Sequence, residues 1–267
     1  MTELPVSALL NIAHQAGDAI MAVYARDFDT ETKADNSPLT EADLAAHRVI
    51  VEQLQALTPD IPILSEESSD IPWAERQQWQ RYWLVDPLDG TKEFIKKNGE
   101  FTVNIALIEQ GEPVWGVVHA PALEVTYHGG TAVGQAFVGR GPWPRTASSD
   151  APNKSEKPIW VAAPPAGKSG WRIVGSRSHQ SDEFKAFVEQ YEAPEIKSMG
   201  SSLKICLVAD GSADLYPRLG LTSEWDTAAA HAVLLGAGGR LVEADSGQPL
   251  RYNQKESVLN LWFIASA

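Results

Sequence analysis

The sequence predicts a mixed α/β protein, and three observations carry that prediction. Two amphipathic helical stretches open the chain, a series of short strands follows, and the C-terminal part alternates strand with helix. Over 5–26, Val6, Leu9, Leu10, Ala13, Ala16, Ile20 and Val23 recur at helical spacing. The segment DTETKADNSPLT breaks that pattern. A second helix is predicted over 40–57 on Leu44, Val49, Ile50 and Leu54, with Thr40 and Asp43 spaced as a capping box. IPIL and YWLV read as short buried strands, each delivering acids at its C-terminal end. FTVNIALI and EPVWGVVHA, separated by Glu-Gln-Gly, read as an antiparallel pair that EVTYHG and QAFVG extend. Residues 139–170 are rich in Gly, Pro, Ser and Ala and mark a domain boundary or a crossover, expected between an N-terminal α+β domain (1–145) and a C-terminal α/β domain (146–267). Beyond it come strand WRIVGS, helices over 181–191 and 201–209, strand DLYP, a helix over 225–235, and strands GRLVEA and LNLWFIA.

The bulk numbers narrow the function classes. With 267 residues, 43% hydrophobic and 21% charged, the chain can bury a substantial core. A net charge of −13 disfavours a nucleic-acid duplex or an anionic membrane as partner. An anionic small molecule would need local cations, from a metal or from a few placed Lys and Arg. The single cysteine, Cys206 in LKICLVA, rules out an intrachain disulfide and a cysteine-built zinc site, and reads as a small core residue. The N-terminus has no basic leader and no long apolar run, so the expectation is a cytoplasmic chain without a transmembrane segment.

The chemistry concentrates in WLVDPLDGTKEF. Asp-Pro-x-Asp-Gly obeys β-turn rules, and such a turn would bring Asp86 and Asp89 together. Two carboxylates about 4 Å apart repel by about 4 kcal/mol at an effective dielectric of 20, which a bound divalent cation removes. The residues after Asp89 can begin a helix, whose free N–H groups face an anion, and Gly90 lets a phosphate approach the backbone. Glu66-Glu67-Ser68 follows the strand IPIL, and Trp225-Asp226-Thr227 opens an apolar helix. Each feature alone has an ordinary structural explanation. AGKS at 166–169 has Ala162 where a phosphate-binding loop needs its first glycine, and that reading is rejected.

SEES, DPLDGT and WDTAA in this order, with DNSPLTEAD upstream, resemble the inositol-monophosphatase-like superfamily of Mg²⁺-dependent, lithium-sensitive phosphatases. WLVDPLDGTKEF, SRSH at 176–179 and GSSLK at 200–204 are similar to its 3′(2′),5′-bisphosphate nucleotidases, most closely the bacterial branch linked to sulfur assimilation. The resemblance implies a layered α/β/α/β/α sandwich and two or three Mg²⁺ held by Glu66, Asp86, Asp89, Asp226 and the Leu88 carbonyl. It implies that Thr91 and Asp43 orient the attacking water, that Glu66 shares in the catalysis, and that the backbone of 88–91, including Gly90, meets the phosphate. His179, Ser201, Lys204 and Arg218 match positions that bind the nucleotide and its second phosphate. The implied reaction takes adenosine 3′,5′-bisphosphate to AMP and phosphate, with the sulfated nucleotide as a further substrate, in a monomer or homodimer. Ala230 stands where the superfamily often has Gly, a departure that touches helix packing. An inositol monophosphatase or broad sugar phosphatase would use the same acids, leaving Lys204, Arg218 and His179 without a nucleotide. A non-catalytic Mg²⁺/nucleotide-binding regulator would bind without releasing phosphate.

Overall fold

A computed structural model describes residues 4–26, 38–143, 156–175 and 181–267. The two opening helices are α1 (Val6–Tyr24) and α2 (Pro38–Leu57). Helix α2 begins two residues before the predicted start, with proline at its first position, where the missing N–H costs nothing. Thr40 and Asp43 therefore lie inside the helix and do not form its capping box. Strands β1 (Ile63–Ser65), β2 (Arg81–Asp89), β3 (Thr102–Glu109), β4 (Glu112–Ala120), β5 (Val125–Gly130), β6 (Gln135–Arg140) and β7 (Lys157–Ile159) form a seven-stranded sheet in chain order. The β1–β2 pair is parallel and the other pairs antiparallel. Two short helices, α3 (Trp73–Arg76) and α4 (Thr91–Ile95), flank β2. The stretch assigned to a linker contains β7, and the 145/146 boundary lies outside the described residues.

The C-terminal part supplies β8 (Arg172–Gly175), α5 (Asp182–Val188), β9 (Glu195–Ser198), α6 (Leu203–Ala209), β10 (Leu215–Arg218), α7 (Ala228–Gly236), β11 (Arg240–Glu243) and β12 (Phe263–Ser266). Its five strands are ordered β11-β12-β10-β8-β9. α3, β7 and β9 escape the sequence pattern because each has four residues or fewer, too short for a period to show.

Alternate residues of the first sheet feed two cores. Trp83, Val85, Val103, Ile105 and Val117 pack against α1 and α2. Leu84, Ala106, Val118 and Tyr127 face the other way, onto α6 and α7. The far face of the second sheet is covered by α5 through Phe184 against Ile173 and Leu215. The layers are thus helix, sheet, helix, sheet, helix, as expected.

Helix α7 lies between the sheets, so it is buried all round from Ala228 to Leu234 and rich in alanine. It sits directly on Gly116 of β4, where an added Cβ would come 2.4 Å from the Ala229 carbonyl oxygen. Gly116→Ala is expected to lower stability by about 1–3 kcal/mol, as overpacking does, read as a lower urea midpoint. An unchanged midpoint would mean the helix can lift off the sheet.

His231 on α7 is fully enclosed, with Nδ1 3.0 Å from the Tyr252 hydroxyl, and burial lowers its pKa from 6.5 to about 3. The unfolded chain takes up this proton first as pH falls. This contribution is therefore complete above pH 6.5 and is lost as pH drops towards about 3. The slope is about 1.4 kcal/mol per pH unit. Between about pH 7 and about pH 5, wild type should lose more stability in urea titrations than His231→Gln. Equal losses would clear His231 of the acid sensitivity.

Candidate active site

Asp86 and Asp89 converge by a device other than the expected turn. Strand β2 runs unbroken to Asp89, but its register against β3 shifts: Asp86 pairs with Asn104 and Asp89 with Thr102. Three steps on β2 oppose two on β3, which is a β-bulge. In a regular strand, residues three apart point to opposite faces. The extra residue cancels that parity and puts both acids on the face towards α6 and α7, beside Asn104 and Thr102. Gly90 follows with φ of +98°, the left-handed conformation that ends the strand and starts α4. An added Cβ there would come 3.1 Å from the Phe101 Cα.

Three other segments bring acids to this point. Glu66 begins a 3₁₀ turn at the end of β1, and α2 is tied to that strand end by His47 Nδ1 at 2.9 Å from Ser65 Oγ. Asp43 projects from α2, and its Oδ1 is buried without a hydrogen-bond partner. Asp226 closes the 3₁₀ turn Glu224–Asp226 ahead of α7, its Oδ2 accepting the Ser223 N–H at 2.8 Å in a reciprocal capping box. The sequence reading has Asp226 opening the long helix itself; that helix begins only at Ala228.

These carboxyls feel one another. Asp43 is pushed up to about 8, first by burial and then by Glu67 and Glu66. Asp86 is held well above the ordinary carboxylate range by burial, then by Asp89, Glu66, Asp226 and Asp43. Asp226 is raised to about 7 by burial and Asp89, and Glu66 is raised by burial, Glu67 and Asp89. Asp89 is raised by burial as well, but Lys204 and the Ser202 N–H pull it down.

Hard oxygen donors in mutual repulsion, with one buried oxygen lacking any partner, suit a hard divalent cation. Among the described residues, no three His, Cys, Asp or Glu side chains already converge on one metal position.

Beside Asp89 and Asp226 opens a cleft of about 310 Å³, lined by these two acids with Gly90, Ser201, Lys204 and Arg218 among others. Burial lowers the Lys204 pKa, Asp89 opposes that shift, and the ammonium lies 5.8 Å from the Tyr216 ring centroid. Arg218 donates from Nη2 to the Leu221 carbonyl at 2.8 Å, while its buried Nε has no partner. Asp43, Glu66, Asp86, Leu88 and Thr91 lie behind or beside this cleft rather than on its wall. Thr91, exposed at the start of α4, stands on a helix that packs against α2, which carries Asp43. His179 lies outside the described residues.

Sequence reasoning missed the residues that join the two halves. Asp89 Oδ2 accepts the Ser202 N–H at 2.6 Å and the Asn104 Nδ2–H at 3.5 Å. Ser202 Oγ donates to Asn104 Oδ1 at 2.8 Å and lies 2.9 Å from Thr102 Oγ1. Ser201, left-handed at φ +43°, places its hydroxyl 3.1 Å from Thr102 Oγ1. No local pattern marks Asn104 or Thr102; their period-2 placement opposite Asp86 and Asp89 was the one available signal, and the bulge obscured it.

A family model described as the inositol monophosphatase family matches residues 4–265. The 3′(2′),5′-bisphosphate nucleotidase CysQ of Escherichia coli (strain K12) is 50% identical over 258 residues, covering 96% of each chain. The solved structure of CysQ from Bacteroides thetaiotaomicron, described as a bacterial member of the inositol monophosphatase family, superposes with a TM-score of 0.87 at 40% identity. That match covers 100% of this chain and 98% of the other. An inositol monophosphatase from Zymomonas mobilis shares the fold at a TM-score of 0.76 and 23% identity, over 98% of this chain and 91% of its own. The bulged acid pair, the distant acids that meet it and the full-length match agree: the chain belongs to the inositol monophosphatase family.

Proposed function

We infer that the chain is a metal-dependent 3′(2′),5′-bisphosphate nucleotidase, hydrolysing adenosine 3′,5′-bisphosphate to AMP and phosphate. The observation that carries this reading is a cleft that brings two of the acids, Asp89 and Asp226, together with the cations of Lys204 and Arg218. A substrate with two phosphates needs two anion subsites. The acids would serve one through a cation, and Lys204, Arg218 and Ser201 would serve the other. The half-identity to the CysQ nucleotidases supports the same choice.

In this reading Glu66, Asp86, Asp89, Asp226 and the Leu88 carbonyl would hold Mg²⁺, two or three ions per site. When bound, the metal supplies Lewis-acid stabilisation of charge on the phosphoryl group and lowers the pKa of water. The protein's own residues do the remainder. Asp43 and Thr91 orient the attacking water. Gly90 lets the phosphate approach the backbone at the start of α4. The N-terminal half thus supplies most acids, and the C-terminal half supplies the nucleotide contacts, with His179 as a further one. The sulfated nucleotide is a second proposed substrate, which would place the enzyme in sulfur assimilation.

A phosphate-release panel tests this. With Mg²⁺ present, adenosine 3′,5′-bisphosphate should be turned over faster than inositol phosphate, and chelation or added Li⁺ should suppress the rate. Preference for inositol phosphate would favour a sugar phosphatase. Nucleotide binding without phosphate release would make the chain a regulator.

A further inference from the structure

A second cavity lies away from the acids. It occupies about 460 Å³ between the residues just after α3, the β3–β4 turn and the loop carrying 252–254. Trp73, with the Arg76 guanidinium 4.7 Å over its ring, and Trp79, 5.8 Å from the Tyr82 ring, line it, and Gln77, Gln80, Gln110 and Gln254 contribute four exposed amides. None of its lining residues carries a charge, although the chain carries −13 overall.

Internal hydrogen bonds hold the frame of the cavity. The Tyr252 hydroxyl lies 3.0 Å from His231 Nδ1 and 3.3 Å from Thr227 Oγ1. Asn253 accepts from Arg76 Nη1 at 2.6 Å through its Oδ1 and donates to the Arg76 carbonyl at 2.6 Å through its Nδ2. Its backbone N–H donates to Glu224 Oε2 at 2.8 Å. The Tyr252 N–H donates to the Gly111 carbonyl at 3.0 Å, joining the loop to the β3–β4 turn. Tyr82, 1% exposed, belongs to the lining, and its buried hydroxyl has no hydrogen-bond partner. Such a group costs stability wherever it stays unpaired.

We propose that this cavity is a binding site for a small neutral polyhydroxylated molecule, of the sugar or polyol class. No lining residue is charged, and the neighbouring Arg76 and Arg251 guanidiniums are already committed to Asn253 and to the Gln110 carbonyl, which disfavours an anion; the absence of carboxylates disfavours an amine. Four amides make a purely apolar ligand a poor match. Glutamine offers both donors and acceptors, so it can serve adjacent hydroxyls, while the indole faces take the C–H face of a sugar ring.

Saturation-transfer NMR on the Mg²⁺-loaded enzyme tests the proposal, with glucose, maltose and trehalose as probes. At least one should receive saturation, and adenosine 3′,5′-bisphosphate should not displace it. The signal should fall several-fold in Trp73→Ala and in Gln254→Ala. The second variant alters an exposed side chain and keeps the test valid if the first fails to fold. Transfer to none of the three sugars, transfer that survives in the folded variants, or displacement by the nucleotide would each overturn it.

Discussion

Asp89→Asn is expected to abolish turnover of adenosine 3′,5′-bisphosphate while leaving the fold intact. Asp89 has three connections: it faces Asp86 across the bulge, accepts the Ser202 N–H at 2.6 Å, and balances Lys204. Asparagine keeps an oxygen for the Ser202 N–H but removes the charge that a cation needs. Metal assistance supplies several kcal/mol of charge stabilisation, so the loss should reach about a thousandfold or more in kcat. Circular dichroism and a thermal midpoint close to wild type would show that the sheet and α6 still meet. Near-normal activity in a folded variant would remove Asp89 from the metal site.

Lys204→Met separates the nucleotide reading from the sugar-phosphate one. The substitution keeps an apolar stem of similar length and deletes the cation that lies 5.8 Å from the Tyr216 ring centroid. A hydrogen bond to a charged group is worth about 1.5–3 kcal/mol, so kcat/KM on the bisphosphate should fall roughly ten- to a hundredfold. Most of that should appear in KM, while the slower hydrolysis of inositol phosphate changes little. Equal losses on both substrates would mean that Lys204 acts by holding Asp89 rather than by meeting a second phosphate.

Both variants depend on contacts between residues more than a hundred positions apart, and this separates what was legible in the chain from what was not. The helices of the first fifty-odd residues follow from apolar spacing, and the strands of the first sheet up to β6 follow from short apolar runs between turns. These are local patterns, and local patterns survive in a sequence. The four acids were found for a related reason: each sits at the end of a predicted element. The start of α2 was misplaced because Pro38 competes with a plausible capping box two residues later, and both signals are local and sound.

By itself, then, the sequence determined the mixed α/β class, the identity of the acids and the family resemblance. Only the tertiary structure decided how the acids meet. Asp86 and Asp89 share a face because β2 carries one residue more than β3 can pair, a fact about two strands rather than one. Asp226 reaches them because Gly116 lets α7 lie directly on the first sheet. WLVDPLDGTKEF specifies a turn or a bulge equally well on its own. The pairing with Asn104 and Thr102 selects the bulge, since it puts both carboxyls on the side where α6 brings Ser202 and Lys204.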